Sequence, residues 1–180
     1  MELRTGIETR RSIRSYTEQP VTEEQIRQIV SAAQLAPSWK NSQTARYYVI
    51  LDPALKERIA AEATMQFSKN MNNIRNAAAV VVLASKQGIA GYNDDGSFTT
   101  ALGTHWQSFD AGIACQTFCL AAHDLGLGTL IMGIFDPEKT AEIAGLARDE
   151  QAAALIAVGY PAAEPSAPPR KPLDEVLTIR

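Results

Sequence analysis

The stretch Leu120-Ala121-Ala122-His123-Asp124-Leu125-Gly126-Leu127-Gly128-Thr129-Leu130-Ile131-Met132 decides the fold class. From about His105 onward, Ile113, Ala114, Phe118, Ala121 and Ala122 recur as an apolar helical surface, and many small residues let a neighbour approach closely. A helix of this kind is either domain core or subunit interface. Gly126-Leu127-Gly128 ends it near Leu125, and Thr129–Met132 reads as a strand. Gly126, Gly128 and Gly133 imitate a dinucleotide-binding loop only superficially, because they follow a helix and precede a strand, the reverse of the βαβ order.

Outward from this stretch, Tyr47–Leu51, Ala78–Leu83 and Ala153–Tyr160 are apolar, partly β-branched runs that read as buried strands. Thr22-Glu23-Glu24-Gln25 spells a capping box, and Ile26, Ile29, Val30 and Ala33 follow at helical spacing up to Pro37, which predicts a helix of about 15 residues. Asp52-Pro53 and Asp136-Pro137 each place an N-cap before a proline at the first helical position and predict two short helices. Helices and strands mix without regular βαβ alternation, so the fold class is α+β.

With 180 residues, 46% hydrophobic and 21% charged, the chain is expected to form one domain over residues 1–180 with a sizeable core. It has no long apolar run for a membrane span, and Met1–Glu8 lacks the apolar centre of a secretory signal, so a cytoplasmic location is expected. A net charge of −3 and a pI near 5.4, without a long basic block, argue against nucleic acid as the partner. Two cysteines, Cys115 and Cys119, provide no disulfide framework and point to a reducing compartment. With His123 they fall at i, i+4 and i+8, where the outer two lie about 12 Å apart along a helix, too far to share one zinc ion. No metal is expected. The cysteines read as small buried hydrophobes, and His123 as a helix-end or interface residue.

Against this acidic background, Arg10-Arg11-Ser12-Ile13-Arg14 gathers three guanidiniums and a hydroxyl, a set of donors suited to phosphate. The competing reading is a solvated helix face carrying Arg10 and Arg14 four residues apart. Near the other terminus, Pro161, Pro165, Pro168, Pro169 and Pro172 keep residues 161–180 extended, while Leu173, Val176, Leu177 and Ile179 restore apolar character. At a maximum of about 3.3 Å per residue this arm could span roughly 60 Å, enough to cross another subunit. There Val176–Ile179 could add an edge strand, with Arg170-Lys171 as a second cationic pair on the way. The sequence contains no Gly-Lys-Ser/Thr phosphate loop, no Gly-x-Ser-x-Gly elbow and no His-Glu-x-x-His, and only two histidines. If the chain is an enzyme, a cofactor carries the chemistry.

Five segments in order resemble the FMN-dependent nitroreductase family: Arg10-Arg11-Ser12-Ile13-Arg14-Ser15-Tyr16, Ala36–Gln43, Asp110-x-Gly112-Ile113-Ala114-x-Gln116, Leu125–Gly128 leading to Met132-Gly133, and Arg170-Lys171-Pro172. The resemblance covers nearly the whole chain and is closest to the family's short, single-domain members. It implies a three-layer α-β-α fold with a mostly antiparallel sheet, and a homodimer with FMN at the subunit interface, the C-terminal arm reaching the partner. It further implies that Arg10, Arg11 and Ser12 hold the phosphate and ribityl chain, that Arg14 lies near the flavin pyrimidine edge, and that Arg170 and Lys171 complete the phosphate pocket. Pro37, Ser38 and Asn41 would come from the partner subunit, the backbone of Ile131, Met132 and Gly133 would face the reactive N5, and Asn70 would contact the flavin. No side chain is implied as catalytic acid or base. The implied activity is ping-pong hydride transfer from NADH or NADPH to FMN and on to a nitroaromatic, quinone or similar small-molecule acceptor. Two alternatives keep the flavin site: a different reaction, such as reductive dehalogenation or oxygen-dependent flavin chemistry, or a non-catalytic FMN-binding dimer.

Two places depart from the family pattern. Trp39-Lys40 stands where smaller or apolar residues are usual, and either alters the acceptor pocket or coats the surface, the surface reading being favoured for Lys40. Gly88–Leu102, rich in Gly, Asn, Asp and Thr, is where the family varies its substrate cover, and Tyr92, Phe98 and Trp106 read as packing residues.

Overall fold

A computed structural model describes all of residues 1–180. Its strands are β1 (Ala45–Ile50), β2 (Ala79–Lys86), β3 (Gly128–Met132) and β4 (Glu150–Gly159). They form one antiparallel sheet in the order β1-β2-β4-β3. The helices are α1 (Leu3–Thr9), α2 (Glu23–Ala33), α3 (Pro53–Glu62), α4 (Ser68–Asn76), α5 (His105–Asp124) and α6 (Pro137–Ala144).

The central strands β2 and β4 are buried on both faces, which explains their nearly continuous apolar sequence. Period-two alternation sends Ala79, Val81, Leu83, Ile156 and Val158 into a core with Ile26 and Ile29 of α2 and Phe118 of α5. Val80, Val82, Leu155 and Ala157 enter the second core with Ile59 of α3, Ile74 of α4, Ile143 of α6 and Leu130 of β3. The sheet is thus the middle of three layers, with α2 and α5 on one face and α3, α4 and α6 on the other, the α+β class expected and the layering that the resemblance implied.

The capping box forms, with Thr22 Oγ1 accepting from Gln25 N–H at 3.2 Å and Gln25 Oε1 from Thr22 N–H at 3.0 Å. The helix it starts is shorter than expected, 11 residues, because Pro37 disfavours α geometry at Ala36 and the chain unwinds through 3₁₀-type bonds from Leu35 to Ala32 and from Ala36 to Ala33. Asp52 and Asp136 cap α3 and α6 as read, each accepting from the N–H three residues on. Two helices, α1 and α4, were not expected. The edge strand expected of Val176–Ile179 is one added to a partner subunit; within the single chain a 3₁₀ turn forms over Leu173–Glu175, Leu177 N–H donates to Leu173 O at 2.9 Å, and the apolar side chains of this segment are exposed.

Candidate functional site

The arginine-rich segment begins where α1 stops. Arg10 caps that helix with extended geometry, φ −56° and ψ 132°, and the chain then runs along the free edge of β3. Ile13 N–H donates to Thr129 O at 2.9 Å, and Ser12 bridges Thr129 in parallel. The solvated-helix reading of Arg10 and Arg14 is therefore corrected: both project from extended backbone. Arg11 turns inward, its Nη1 donating to the carbonyls of Glu8 at 2.7 Å and Arg10 at 2.8 Å, which closes the end of α1. The Arg10 guanidinium makes no hydrogen bond or ion pair within the chain and faces a cleft of about 430 Å³ with Arg11, His123, Gly126 and Gly128.

His123 lies in the last turn of α5 with Nε2 2.8 Å from Thr9 Oγ1. That hydroxyl already donates its proton to Thr5 O at 2.7 Å, so Nε2 carries the hydrogen and donates. Burial first, then the charges of Arg10 and Arg11, hold His123 below the usual histidine range. One and two turns earlier, Cys119 and Cys115 are buried beside each other. The thiol hydrogen bond to Cys119 and burial push Cys115 up, so Cys119 is the thiol that ionises more readily.

On the other side of the same edge, Arg14, Asn70, Ile131, Met132 and Gly133 line a second cleft of about 520 Å³. Asn70 sits on α4, the helix that leads into β2, and its Nδ2 donates to Ile134 O at 2.9 Å. Ile131 is 46% exposed between the buried Leu130 and Met132. A Cβ on Gly133 would meet nothing within 4 Å, so bare backbone faces the opening. Phe67 and Lys69 also line this cleft. They follow Met65 and Gln66, two consecutive left-handed residues at φ 52° and 57°, a costly turn for residues with a Cβ.

Pro37, Ser38 and Asn41 lie elsewhere, in the turn before β1. Lys40, Asn41 and Gln43 are all left-handed, and the turn is held by Ser38 Oγ accepting from Gln43 N–H and Asp110 Oδ2 from Trp39 N–H, each at 2.9 Å. Burial raises the Asp110 carboxyl above its usual range, against the Trp39 N–H that lowers it. The Trp39 ring packs 4.7 Å from Trp106, and exposed Lys40 places Nζ 5.9 Å from the Trp39 ring centre. Trp39 Nε1, Ser42 Oγ, Thr44 Oγ1 and Tyr47 OH are buried here without a partner. Asp110 and His123 are thirteen residues apart on α5, about 20 Å, so within one chain this turn stands at the far end of that helix from Arg10.

Arg170 and Lys171 are exposed on the arm, where Lys171 pairs with Glu175 at 3.4 Å. The arm's last backbone bond to the domain is Ala162 N–H to Ser15 O at 3.0 Å. The structure thus joins Arg10 and Arg11 to one opening, and Arg14, Asn70 and Ile131–Gly133 to the adjoining one, with Ser12 exposed between them in the chain on its bridge to Thr129, and leaves the other predicted residues apart. Sequence reasoning did not single out Phe67, Lys69 or the Thr9–His123 pair. A polar stretch of low periodicity hid the first two, and the third joins residues 114 positions apart.

The profile described as the Nitroreductase family matches residues 7–160. A protein named NADH dehydrogenase from Thermus thermophilus is 31% identical over 100% of this chain and 97% of its own length. An FMN reductase [NAD(P)H] from Bacillus subtilis is 30% identical over 92% of this chain and 68% of its own. The crystal structure of a nitroreductase family protein from Clostridium novyi superposes with a TM-score of 0.77 at 25% identity, covering 97% of this chain and 91% of that one. With the match running from α1 through β4, the chain belongs to the nitroreductase family.

Proposed function

We propose that this chain is an FMN-dependent NAD(P)H oxidoreductase acting on nitroaromatic, quinone or similar acceptors, and that it works as a homodimer with FMN between the subunits. The observation that carries the reading is the alignment of Arg10–Arg14 along the edge of β3. It sets an uncommitted guanidinium beside one opening and the bare backbone of Gly133, with Arg14 and Asn70, beside the next, with the exposed Ser12 between Arg10 and Arg14 in the chain. An anion-binding end adjoining an open cleft with amide and backbone groups fits a phosphorylated, flat, polar-edged cofactor.

FMN, when bound, takes an electron pair from NAD(P)H and passes it to an acceptor. The chain's own groups bind and orient. Arg10 and Ser12 hold the phosphate end, and Arg14 offers positive charge where the reduced ring gathers negative charge, favouring the reduced form. Ile131–Gly133 supply backbone to the ring and leave it open to a second reactant. Two reactants using one opening in turn makes the cycle ping-pong.

The same geometry supports the homodimer. The turn with Pro37, Ser38 and Asn41 holds orphaned polar groups yet stands about 20 Å from Arg10 along α5. Outward from the sheet, α5 exposes Phe109, at 59%, with Gly112 and Gln116 at helical spacing. A two-fold axis through this face runs the two α5 helices antiparallel and brings one chain's Asp110 end to the other's His123 end, completing both sites. The arm, with Arg170 and Lys171, then lies against the partner.

The test is the visible spectrum of the purified protein and of the supernatant after heat release, followed by NADH and NADPH additions under nitrogen. Flavin bands that either nucleotide bleaches, and that an added quinone restores, are expected. A colourless protein that fails to take up FMN would overturn the reading.

A further inference from the structure

The cleft at Ile131–Gly133 holds two cations and no carboxylate. Its lining includes Arg14, Lys69 and the amides Asn70, Asn72 and Asn73, with Phe67 as an aromatic wall, and it contains neither Asp nor Glu. In a chain with 20 acidic and 17 basic residues this is a local reversal of sign. Seven basic side chains elsewhere are matched, Arg4 with Glu8, Arg46 with Glu150, Arg58 with Glu62, Arg75 with Glu57, Lys86 with Asp149, Lys139 with Glu142 and Lys171 with Glu175, and the others are scattered singly or belong to the Arg10–Arg11 cleft. Neither Arg14 nor Lys69 has an acidic partner, and the one polar contact of the pair is Arg14 Nη1 to Ser12 O at 3.3 Å.

The backbone fixes where this charge is offered. The left-handed pair Met65 and Gln66 turns the chain so that Phe67 precedes the first turn of α4 and Lys69 falls within that turn. Asn70, the next residue, is buried and ties this turn to Ile134 O across the cleft mouth at 2.9 Å. Lys69 is therefore anchored at its backbone while its side chain stays exposed.

We propose that Lys69 is a specificity-determining residue of this site and selects planar aromatic acceptors that carry an anionic substituent such as a carboxylate. Phe67 provides the apolar wall for the ring, and the Lys69 ammonium meets the anion, with the Arg14 guanidinium adding to the positive field. This rests on the flavin reading of the same cleft and adds the charge of the substrate to it. The electron pair comes from NAD(P)H through FMN, and the carboxylate is unchanged by the reaction.

The experiment compares 4-nitrobenzoate with 4-nitrobenzamide, an uncharged analogue of nearly equal shape, as acceptors for wild-type protein, Lys69→Met and Lys69→Glu. Each is reconstituted with FMN at saturating NADH. The wild-type kcat/KM ratio of benzoate to benzamide should fall about tenfold in Lys69→Met and further in Lys69→Glu. The wild-type ratio should also shrink as salt rises from 20 to 200 mM, as roughly expected for one exposed charge. An unchanged ratio overturns the proposal. So does loss of FMN from Lys69→Met, which would make Lys69 a cofactor residue. An anaerobic bleaching rate lowered for NADPH but not for NADH, with the acceptor ratio intact, assigns the cation to the donor's phosphate and overturns it as well. Wild-type protein that binds no FMN, or whose flavin neither nucleotide bleaches, is the separate failure of the flavin reading, and takes this proposal with it.

Discussion

Ile13 packs directly on the bare Cα of Gly128: a Cβ there would lie 2.5 Å from Ile13 Cγ1 and 2.8 Å from its Cβ. This close approach lets Ile13 N–H reach Thr129 O and keeps Arg10–Arg14 along β3. Gly128→Ala should therefore displace the arginine segment, because Ile13 is 6% exposed and branched at the point of contact. Overpacking of this kind costs about 1–3 kcal/mol. Thermal unfolding should show the loss, and flavin titration a further weakening beyond it. A variant with wild-type Tm and flavin affinity would mean that the edge pairing does not position the site.

Arg10 and Arg11 are neighbours with different expected phenotypes. Arg10→Ala removes a guanidinium with no partner in the chain, so apo-protein stability should hold while FMN affinity falls by about 1.5–3 kcal/mol, the worth of a hydrogen bond to a charged group. Arg11→Ala removes two bonds to the carbonyls of Glu8 and Arg10. It should lower apo-protein stability by about 1 kcal/mol per bond lost, read as a lower Tm. Calorimetry of both apo variants beside their FMN titrations separates the roles, and identical stability losses would refute the division.

The sequence displayed the elements with strong local signals. The capping box at Thr22, the Asp-Pro pairs and the doubly buried β2 and β4 all stand where their residues place them. It concealed α1, which is seven residues long and buries only Gly6, and α4, where SKNMNNIRN is rich in poor helix formers and Phe67 gives no side-chain cap. Tertiary contacts decide both. At the site, residue chemistry was legible and distance was not. Arg10–Arg14 and Ile131–Gly133 adjoin because Ser12 bridges Thr129, whereas nothing local tells that Pro37 stands at the other end of α5. Lys69 was invisible because one exposed lysine among asparagines carries no periodic signal.

Removing residues 163–180 should leave the protomer folded and weaken the dimer. The anchors Thr17 N–H to Tyr160 O and Ala162 N–H to Ser15 O remain, and every residue removed is exposed. With Leu173, Val176, Leu177 and Ile179 lost, the partner loses the apolar cover assigned to it. Unchanged circular dichroism is expected, together with a higher dimer dissociation constant by analytical ultracentrifugation and faster release of FMN. A dimer of full affinity with full flavin retention would place the arm outside the interface.

His123 should give the apo-protein a pH-dependent stability near neutrality. Its folded-state value is depressed by burial and by Arg10 and Arg11, so the folded state favours the neutral ring while the unfolded chain titrates near the usual 6.5. Where the unfolded state holds more protons, stability rises with pH. The contribution is complete above the unfolded value and is lost as pH falls from there through the depressed folded value. Tm should therefore decline from pH 7.5 to 5.5, and His123→Gln, which can still donate to Thr9 Oγ1, should flatten that slope. Glu57, Asp149 and Glu142, all lowered by hydrogen bonds to basic partners, titrate further down, and the difference between wild type and His123→Gln separates the imidazole from Asp110, which burial raises, and from Cys119, whose thiol is lowered. Bound FMN should also reduce the slope, because a phosphate beside Arg10 offsets the positive field that keeps His123 neutral. A slope identical in wild-type and His123→Gln would show that the imidazole is not held in its neutral form by Arg10 and Arg11.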